Sequence, residues 1–75
     1  MISVVELTRR LVAFDTVNPP GDEHDCAAYL GAELQRLGLS VSYSEFAPRR
    51  TSLVARLDGA DERLPMVLTG HTDVV

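Results

Sequence analysis

The prediction of the fold depends most on the stretch Met66-Val67-Leu68-Thr69-Gly70-His71-Thr72-Asp73-Val74-Val75. Its first five residues predict a strand at 66–70 that is apolar on both faces, as the central strands of α/β sheets are. Such a strand needs helices against both faces and a neighbouring strand at each edge. The class of fold predicted from this stretch is therefore α/β.

The residues before this strand predict two helices separated by a loop. The first helix covers 3–14, because Ser3 and Glu6 form a capping-box pattern and apolar residues recur at three- and four-residue spacing. The loop at 16–21 contains two prolines and a glycine, which interrupt helices. We expect a rigid, polyproline-like loop that ends in a turn.

The second helix is predicted to begin at Asp22 or Glu23 and to end at Leu37, with Gly38 as the capping glycine. Its first turn is acidic, and the helix dipole favours negative charge there. The predicted apolar face consists of Cys26, Ala27, Leu30, Leu34 and Leu37. A helix with one such face is suited to packing against a sheet.

Two more strands are predicted between the second helix and the strand at 66–70. Residues 39–44 alternate strictly between serines and larger, mostly apolar side chains, which is typical of a half-buried strand. A connector at 48–50 leads to the next strand at 52–57, and a polar turn at 58–63 leads to the last one. The predicted order is helix, helix, strand, strand, strand.

Composition and charge limit the classes of function. The chain has 75 residues, a net charge of −4 and 45% hydrophobic residues. Nucleic acids and anionic membranes select clustered Lys and Arg, so neither is expected as a partner. The single cysteine, Cys26, and an N-terminus without a secretory leader predict a soluble cytoplasmic protein.

The residues with the clearest potential for chemistry are His71 and Asp73, which follow Gly70 at the end of the predicted strand. Side chains alternate along an extended chain, so His71 and Asp73 point to the same side. A neutral imidazole is a good zinc ligand, and a nearby carboxylate commonly holds its second ring nitrogen. The alternative is a structural histidine bonded to an aspartate near a turn, because one His and one Asp cannot complete a zinc site.

Three segments match one known family in the family's own order. They are Phe14-Asp15-Thr16-Val17-Asn18-Pro19-Pro20-Gly21, Leu37-Gly38-Leu39-Ser40-Val41 and Gly70-His71-Thr72-Asp73-Val74-Val75. The first is similar to the segment between the first two helices of acetylornithine deacetylase-like proteins, and the last is similar to a metal motif that follows an apolar strand. Together they resemble the M20 family of zinc metallopeptidases and deacylases, which includes succinyl-diaminopimelate desuccinylase, aminoacylase and glutamate carboxypeptidase.

The resemblance implies a fold and a metal site. Residues 1–75 would be the N-terminal portion of a three-layer α/β/α catalytic domain with a mixed sheet, its first two strands antiparallel and its third parallel to the first. His71 would bind one metal of a zinc pair, for which Co or Mn can substitute, and Asp73 would be the catalytic residue that orients and polarises that imidazole. The other ligands, the general base and a dimerisation domain would follow Val75, in a homodimer.

The resemblance also implies a reaction. The complete enzyme would hydrolyse the amide bond of an N-acyl amino acid or small peptide, with water activated by two metals and a glutamate base. The loop at 18–21 favours a deacetylase or desuccinylase over a glutamate carboxypeptidase-like enzyme or a dipeptidase. The chain alone is predicted to be inactive. Two non-enzymatic alternatives stay open: a catalytically dead truncated fragment, and a small interaction module built on the two helices.

Other residues that could carry chemistry are predicted to be structural. His24, in a solvated first helical turn, is not expected to bind metal with its acidic neighbours, and Cys26 is expected to be a core residue rather than a nucleophile. The loop at 18–21 is expected to pack near the site rather than to bind a partner that recognises polyproline. Arg49 and Arg50 are expected to be solvated rather than to bind an anionic substrate.

Overall fold

The structure, a computed structural model, describes residues 2–75. Its elements are α1 (Val4–Val12), α2 (His24–Arg36), β1 (Ser40–Ala47) and β2 (Arg50–Arg56). The strands form one antiparallel sheet, and α2 packs against it. The predicted α/β class is thereby confirmed as two helices with a two-stranded antiparallel sheet. Neither helix in the described range is long and apolar enough to cross a membrane.

The first helix begins where its capping residues predict. The Oγ of Ser3 accepts a hydrogen bond from the N–H of Glu6 at 3.1 Å, which satisfies a donor of the first turn. The helix ends at Val12, slightly earlier than predicted. Much of its predicted apolar stripe is uncovered, since three of its valines are 61–80% exposed: Val4, Val5 and Val12.

The second helix begins at His24 and ends at Arg36, each one residue inside the predicted bounds, and Gly38 caps it as predicted. Gly38 has a φ of +93°, its N–H donates to the carbonyl of Gln35 at 3.0 Å, and the N–H of Leu39 donates to that of Leu34 at 3.1 Å. These are the two hydrogen bonds of a Schellman motif. Leu37 is 53% exposed, so the apolar face is shorter than predicted, and its buried residues are Cys26, Ala27 and Gly31.

The hairpin is longer than predicted because its connection is shorter. Ala47 pairs directly with Arg50, which leaves only two residues in the turn, and Arg49 adopts a φ of +63° there. The hairpin packs closely on α2 through Tyr43. A Cβ on Gly31 would overlap the Tyr43 hydroxyl, so glycine at that position permits the contact.

The predicted third strand at 66–70 is wrong for this chain. Residues 63–73 have no strand pairing, and within residues 2–75 the only pairing outside the hairpin is a parallel bridge between Val17 and Val74. The apolar side chains of the segment are 79–95% exposed: Leu64, Met66, Val67 and Leu68. A strand is stabilised by a hydrogen-bonded neighbour, and the described residues provide none here.

The buried side chains are concentrated in one corner of the molecule. The apolar ones are Cys26 and Ala27, at 2% and 4% exposure. The polar ones are Thr16, Glu23 and Thr51, at 3%, 4% and 8% exposure. The loop at 16–21, the start of α2 and the start of β2 therefore meet at a corner that is mainly polar, and this corner positions the candidate site.

Candidate functional site

The loop before α2 holds the segment around Asp73 in place through its backbone. The N–H of Val74 donates to the carbonyl of Thr16 at 3.1 Å, and the N–H of Asn18 donates to the carbonyl of Val74 at 2.6 Å. The buried Oγ1 of Thr16 donates to the carbonyl of Thr72 at 2.5 Å. Two segments far apart in sequence are thus paired on both sides of Asp73.

The loop itself is a turn rather than the predicted polyproline-like segment. Residues 18–20 form the turn, and the N–H of Gly21 closes it by donating to the carbonyl of Val17 at 2.9 Å. Both of its prolyl peptide bonds are cis. Gly21 has a φ of +85°, a left-handed conformation that favours glycine. The turn places Asn18 and Gly21 beside the residues that surround Asp73.

The two carboxylate oxygens of Asp73 have different partners. Its Oδ2 accepts a hydrogen bond from Asn18 Nδ2 at 3.2 Å and lies 3.6 Å from Arg50 Nη2. Its Oδ1 lies 3.1 Å from His71 Nδ1. The hydrogen bond from Asn18, together with that from His71, holds the pKa of Asp73 below its ordinary value, although burial opposes this. Asp73 is therefore an ionised acceptor at neutral pH.

Asp73 determines the tautomer of His71 through two acceptors, its carboxylate Oδ1 at 3.1 Å and its backbone carbonyl at 3.0 Å from Nδ1. A carboxylate without a proton and a carbonyl only accept hydrogen bonds, so Nδ1 of His71 carries a hydrogen, and in the neutral imidazole the lone pair is on Nε2. The side chain of His71 is 84% exposed, and the part of the chain that the structure describes gives Nε2 no hydrogen-bond partner. Nε2 is thus the accessible nitrogen with the electron pair that a metal ion requires.

Arg50 lies beside Asp73 and is fixed by a nearly buried partner. Its Nη2 donates to Glu23 Oε1 at 2.7 Å, and its Nε lies 3.3 and 3.2 Å from the two oxygens of Glu23. The hydrogen bond from Arg50 lowers the pKa of Glu23, while burial acts in the opposite direction. The guanidinium also lies over the ring of Phe46, 5.2 Å from its centroid. We call Asn18, Gly21, Glu23 and Arg50 the Asp73 cradle.

An open cleft of about 720 Å³ borders His71 and Asp73. It lies between α2, β2 and residues 68–73. Its apolar wall includes Leu30, Leu34 and Leu53. A volume of this size is within the usual range for small-molecule sites, which combine apolar walls with a few polar groups.

The structure brings the two predicted site residues together but does not complete a metal site. Among residues 2–75, no three side chains of His, Cys, Asp or Glu form a group that could hold a metal ion. His71 offers one ligand atom and Asp73 supports it. Their roles as metal ligand and catalytic residue stay predictions.

His24 has a structural role that differs from the predicted solvated one. It is half-buried, and its Nδ1 lies within hydrogen-bond distance of Thr51 Oγ1, at 3.1 Å. Its acidic neighbours Asp22 and Asp25 are both bound by Arg49, at 3.0 and 2.9 Å. The prediction that Arg49 is merely solvated is therefore wrong, since Arg49 joins the hairpin turn to the start of α2.

The remaining predictions divide between one that is confirmed and one that is wrong. Cys26 is buried as predicted, and burial, followed by the charge of Glu23, raises the pKa of its thiol. A raised pKa disfavours the nucleophilic thiolate.

Arg50 is not merely solvated, because it binds Glu23 and lies near Asp73. No local sequence pattern pointed to this role, because Glu23 and Arg50 are far apart in the chain.

Comparisons with known proteins do not assign the chain to a family. No protein-family model, no curated protein and no solved structure matches it. The M20 resemblance therefore rests on the three segments quoted above, and any functional conclusion rests on the geometry of His71 and Asp73.

Proposed function

We propose that this chain is the N-terminal part of a zinc-dependent amide hydrolase of the M20 type, in which His71 binds one metal ion. The observation that carries the proposal is the contact between His71 Nδ1 and the ionised Asp73, at 3.1 Å. Proteins commonly orient a metal-binding imidazole by placing a carboxylate on its far nitrogen, which also raises the basicity of the ligand atom.

Each residue of the pair has a defined task in this proposal. Asp73 holds the proton on Nδ1 of His71 and stabilises the positive charge that a bound metal draws onto the ring. Nε2 of His71 is the ligand atom. Zinc, when bound, supplies Lewis acidity and lowers the pKa of a coordinated water, and Co or Mn can take its place. The other ligands and the general base are assigned to residues outside this chain.

The proposed substrate is an N-acyl amino acid or a small peptide, and the proposed assembly is a homodimer. The cleft beside His71 has a volume in the range of small-molecule sites, which is consistent with a small substrate. A deacetylase or desuccinylase is preferred because the turn at 18–21, which the resemblance associates with that branch, directly contacts Asp73 through Asn18. A carboxypeptidase-like enzyme is the second choice.

The test compares the chain's two histidines. Titration of the metal-free native protein with Zn²⁺, followed by NMR of the imidazole rings, should shift the resonances of His71 and leave those of His24 in place. His71→Gln should abolish zinc binding, whereas the matched variant His24→Gln should retain it, because His24 is directed at Thr51. An equal response of both rings, or a response that survives His71→Gln, would contradict the proposal.

Activity gives a second, independent check. The chain alone should release no amine from an N-acyl amino acid, because a zinc pair needs more ligands than His71 provides. The native protein should hold about two zinc ions per chain. Zinc-dependent hydrolysis by the isolated 75-residue chain, lost in His71→Ala, would refute the assignment of the other ligands to residues elsewhere.

One observation favours a different function, an interaction module built on the helices. The valines of α1 are exposed, with Val4 at 80% and Val12 at 77%. Such a module has no need for an oriented imidazole. Selective binding of zinc at His71 therefore distinguishes the hydrolase from the module, which predicts no selectivity between His71 and His24.

A further inference from the structure

We propose that Arg50 is a positioning residue for the His71–Asp73 pair, and that Glu23 and Gly21 hold Arg50 where it can act. The inference rests on the proposed function in one respect, namely that His71 is a metal ligand. The geometry that carries it involves no metal, and neither does its principal test.

The argument begins with the two oxygens of Asp73. Oδ2 faces two donors, Asn18 Nδ2 at 3.2 Å and Arg50 Nη2 at 3.6 Å. Oδ1 faces only His71 among the described residues, at 3.1 Å. A carboxylate anchored by one oxygen cannot rotate freely, so the other oxygen stays directed at the imidazole. Arg50 and Asn18 thus act on His71 through Asp73.

Arg50 is itself held from two other directions. Glu23, which is 4% exposed, receives hydrogen bonds from both Nε and Nη2 of the guanidinium. Gly21 covers the same group closely, and a Cβ on Gly21 would overlap Arg50 Nε. With its plane fixed, the guanidinium donates from Nη2 to Glu23 and keeps that nitrogen 3.6 Å from Asp73 Oδ2, within the range of an ion pair.

The arrangement requires the shape of arginine as well as its charge. A guanidinium presents several donors in a rigid plane, so it can bind the two oxygens of Glu23 and still direct a donor at Asp73. A lysine ammonium is a single point of charge on a flexible stem. It can neutralise Glu23, but it does not fix the direction of a second donor.

The contacts of Arg50 with Glu23 and Asp73 also help to explain how the His71–Asp73 pair is placed relative to the rest of the fold. Glu23 lies at the start of α2, Arg50 at the start of β2, and Asp73 in a segment without strand pairing. The three charged groups join these parts at one corner. The segment that contains His71 is therefore placed by its backbone hydrogen bonds to the loop at 16–21 and by these charged side chains at the helix and the hairpin.

The test measures the tautomer of His71 in the metal-free chain, from ¹⁵N chemical shifts at an alkaline pH where imidazoles are neutral. In the wild type the Nδ1–H form should predominate. In Arg50→Lys part of that form should be lost, because the Asp73 carboxylate is then held by Asn18 alone and free imidazole side chains prefer Nε2–H, while the backbone carbonyl of Asp73 still accepts from Nδ1. Arg56→Lys is the matched control: Arg56 is on the same strand, its side chain is 80% exposed, and it binds Asp58.

A general loss of structure is detected separately from a loss of positioning. The contact between Tyr43 and Gly31 lies away from the cradle, and its nuclear Overhauser effects report whether α2 still packs on the hairpin. If Arg50→Lys loses this contact, Glu23→Gln replaces it, because that variant keeps Arg50 but removes the charge that holds it. An unchanged Nδ1–H population in a folded Arg50→Lys or Glu23→Gln chain would overturn the inference.

Zinc titration of the same variants in the native protein, which contains the other proposed ligands, distinguishes this inference from the proposed function. Loss of outer partners of a metal-binding histidine typically weakens metal binding about 10- to 100-fold. If wild-type His71 binds zinc and Arg50→Lys weakens binding by about 10-fold, both proposals are supported. If the tautomer changes but wild-type His71 binds no zinc, the positioning role of Arg50 holds and the hydrolase proposal fails.

Discussion

The corner around Arg50 and the segment at 64–70 are opposite cases of which side chains are buried. At the corner, charged and polar residues are buried and paired, with Glu23 at 4% exposure. In the segment, apolar residues are exposed, with Leu64 at 95% and Leu68 at 89%. The usual expectation, apolar inside and charged outside, is reversed in both parts.

The difference shows that burial depends on the partners a chain can supply as well as on side-chain type. Glu23 is buried because Arg50 provides both hydrogen bonds and charge, which offset the cost of removing a carboxylate from water. The segment at 64–70 finds neither a paired strand nor a covering helix among the described residues. Its apolar pattern would be satisfied in a larger sheet, which is what the proposed hydrolase domain would provide.

The largest effect should come from Gly21→Ala, which damages the corner in two ways. Alanine must adopt a φ near +85°, and its Cβ overlaps Arg50 Nε, which Glu23 prevents from moving freely. We expect a loss of roughly 2–3 kcal/mol in the free energy of unfolding, measured by urea denaturation at neutral pH.

Gly38→Ala isolates the backbone part of that cost. Gly38 has a similar φ of +93°, but no atom lies within 4 Å of the position of an added Cβ. Its replacement should cost about 1 kcal/mol, the usual penalty for a left-handed alanine. Equal losses in the two variants would show that Arg50 is not held against Gly21, and the cradle would lose one of its supports.

How well the sequence predicts a contact in this molecule depends on how far apart the two residues are along the chain. The Ser3 cap, the Gly38 motif and the proximity of His71 to Asp73 each involve residues within five positions of one another, so local spacing was sufficient. The pairing of Glu23 with Arg50 spans 27 positions, and no local pattern indicates it. The prediction of a strand at 66–70 was wrong for a related reason. Hydropathy and side-chain alternation describe a strand, but they do not show whether another strand has a free edge to pair with it.

A smaller effect, with a defined pH dependence, should come from Glu23→Gln. The pKa of Glu23 is lowered in the fold, chiefly by its hydrogen bond from Arg50, so its charge contributes stability above its ordinary pKa of 4.5. That contribution disappears as the pH falls through the lowered value. In the wild type the urea midpoint should therefore decrease between about pH 5 and pH 2, and in Glu23→Gln it should decrease less.

Two other features of the corner determine how far the acid dependence of stability differs between Glu23→Gln and the wild type. Asp73 also has a lowered pKa, so part of the acid dependence should persist in Glu23→Gln. The negative charge of Asp73 opposes the ionisation of Glu23, which limits the effect of the Arg50 contact. Glu62→Gln, at an exposed position of the polar turn, is the control. Identical pH profiles for Glu23→Gln and the wild type would contradict the assignment of a stabilising ion pair to Glu23 and Arg50.

The smallest effect should come from Val67→Thr, and its smallness is informative. Val67 is 79% exposed, so exchanging a methyl group for a hydroxyl of similar size should change the free energy of unfolding by no more than about 0.5 kcal/mol. The comparison variant Cys26→Ser puts a hydroxyl at a position of 2% exposure and should cost about 1–3 kcal/mol by leaving it without a suitable partner.

If Val67→Thr instead costs as much as Cys26→Ser, residue 67 is buried in solution, and the segment pairs or packs in a way that the isolated hairpin does not provide. A cost that appears only in a longer protein containing this chain would locate the missing partners outside residues 2–75, as the hydrolase proposal requires.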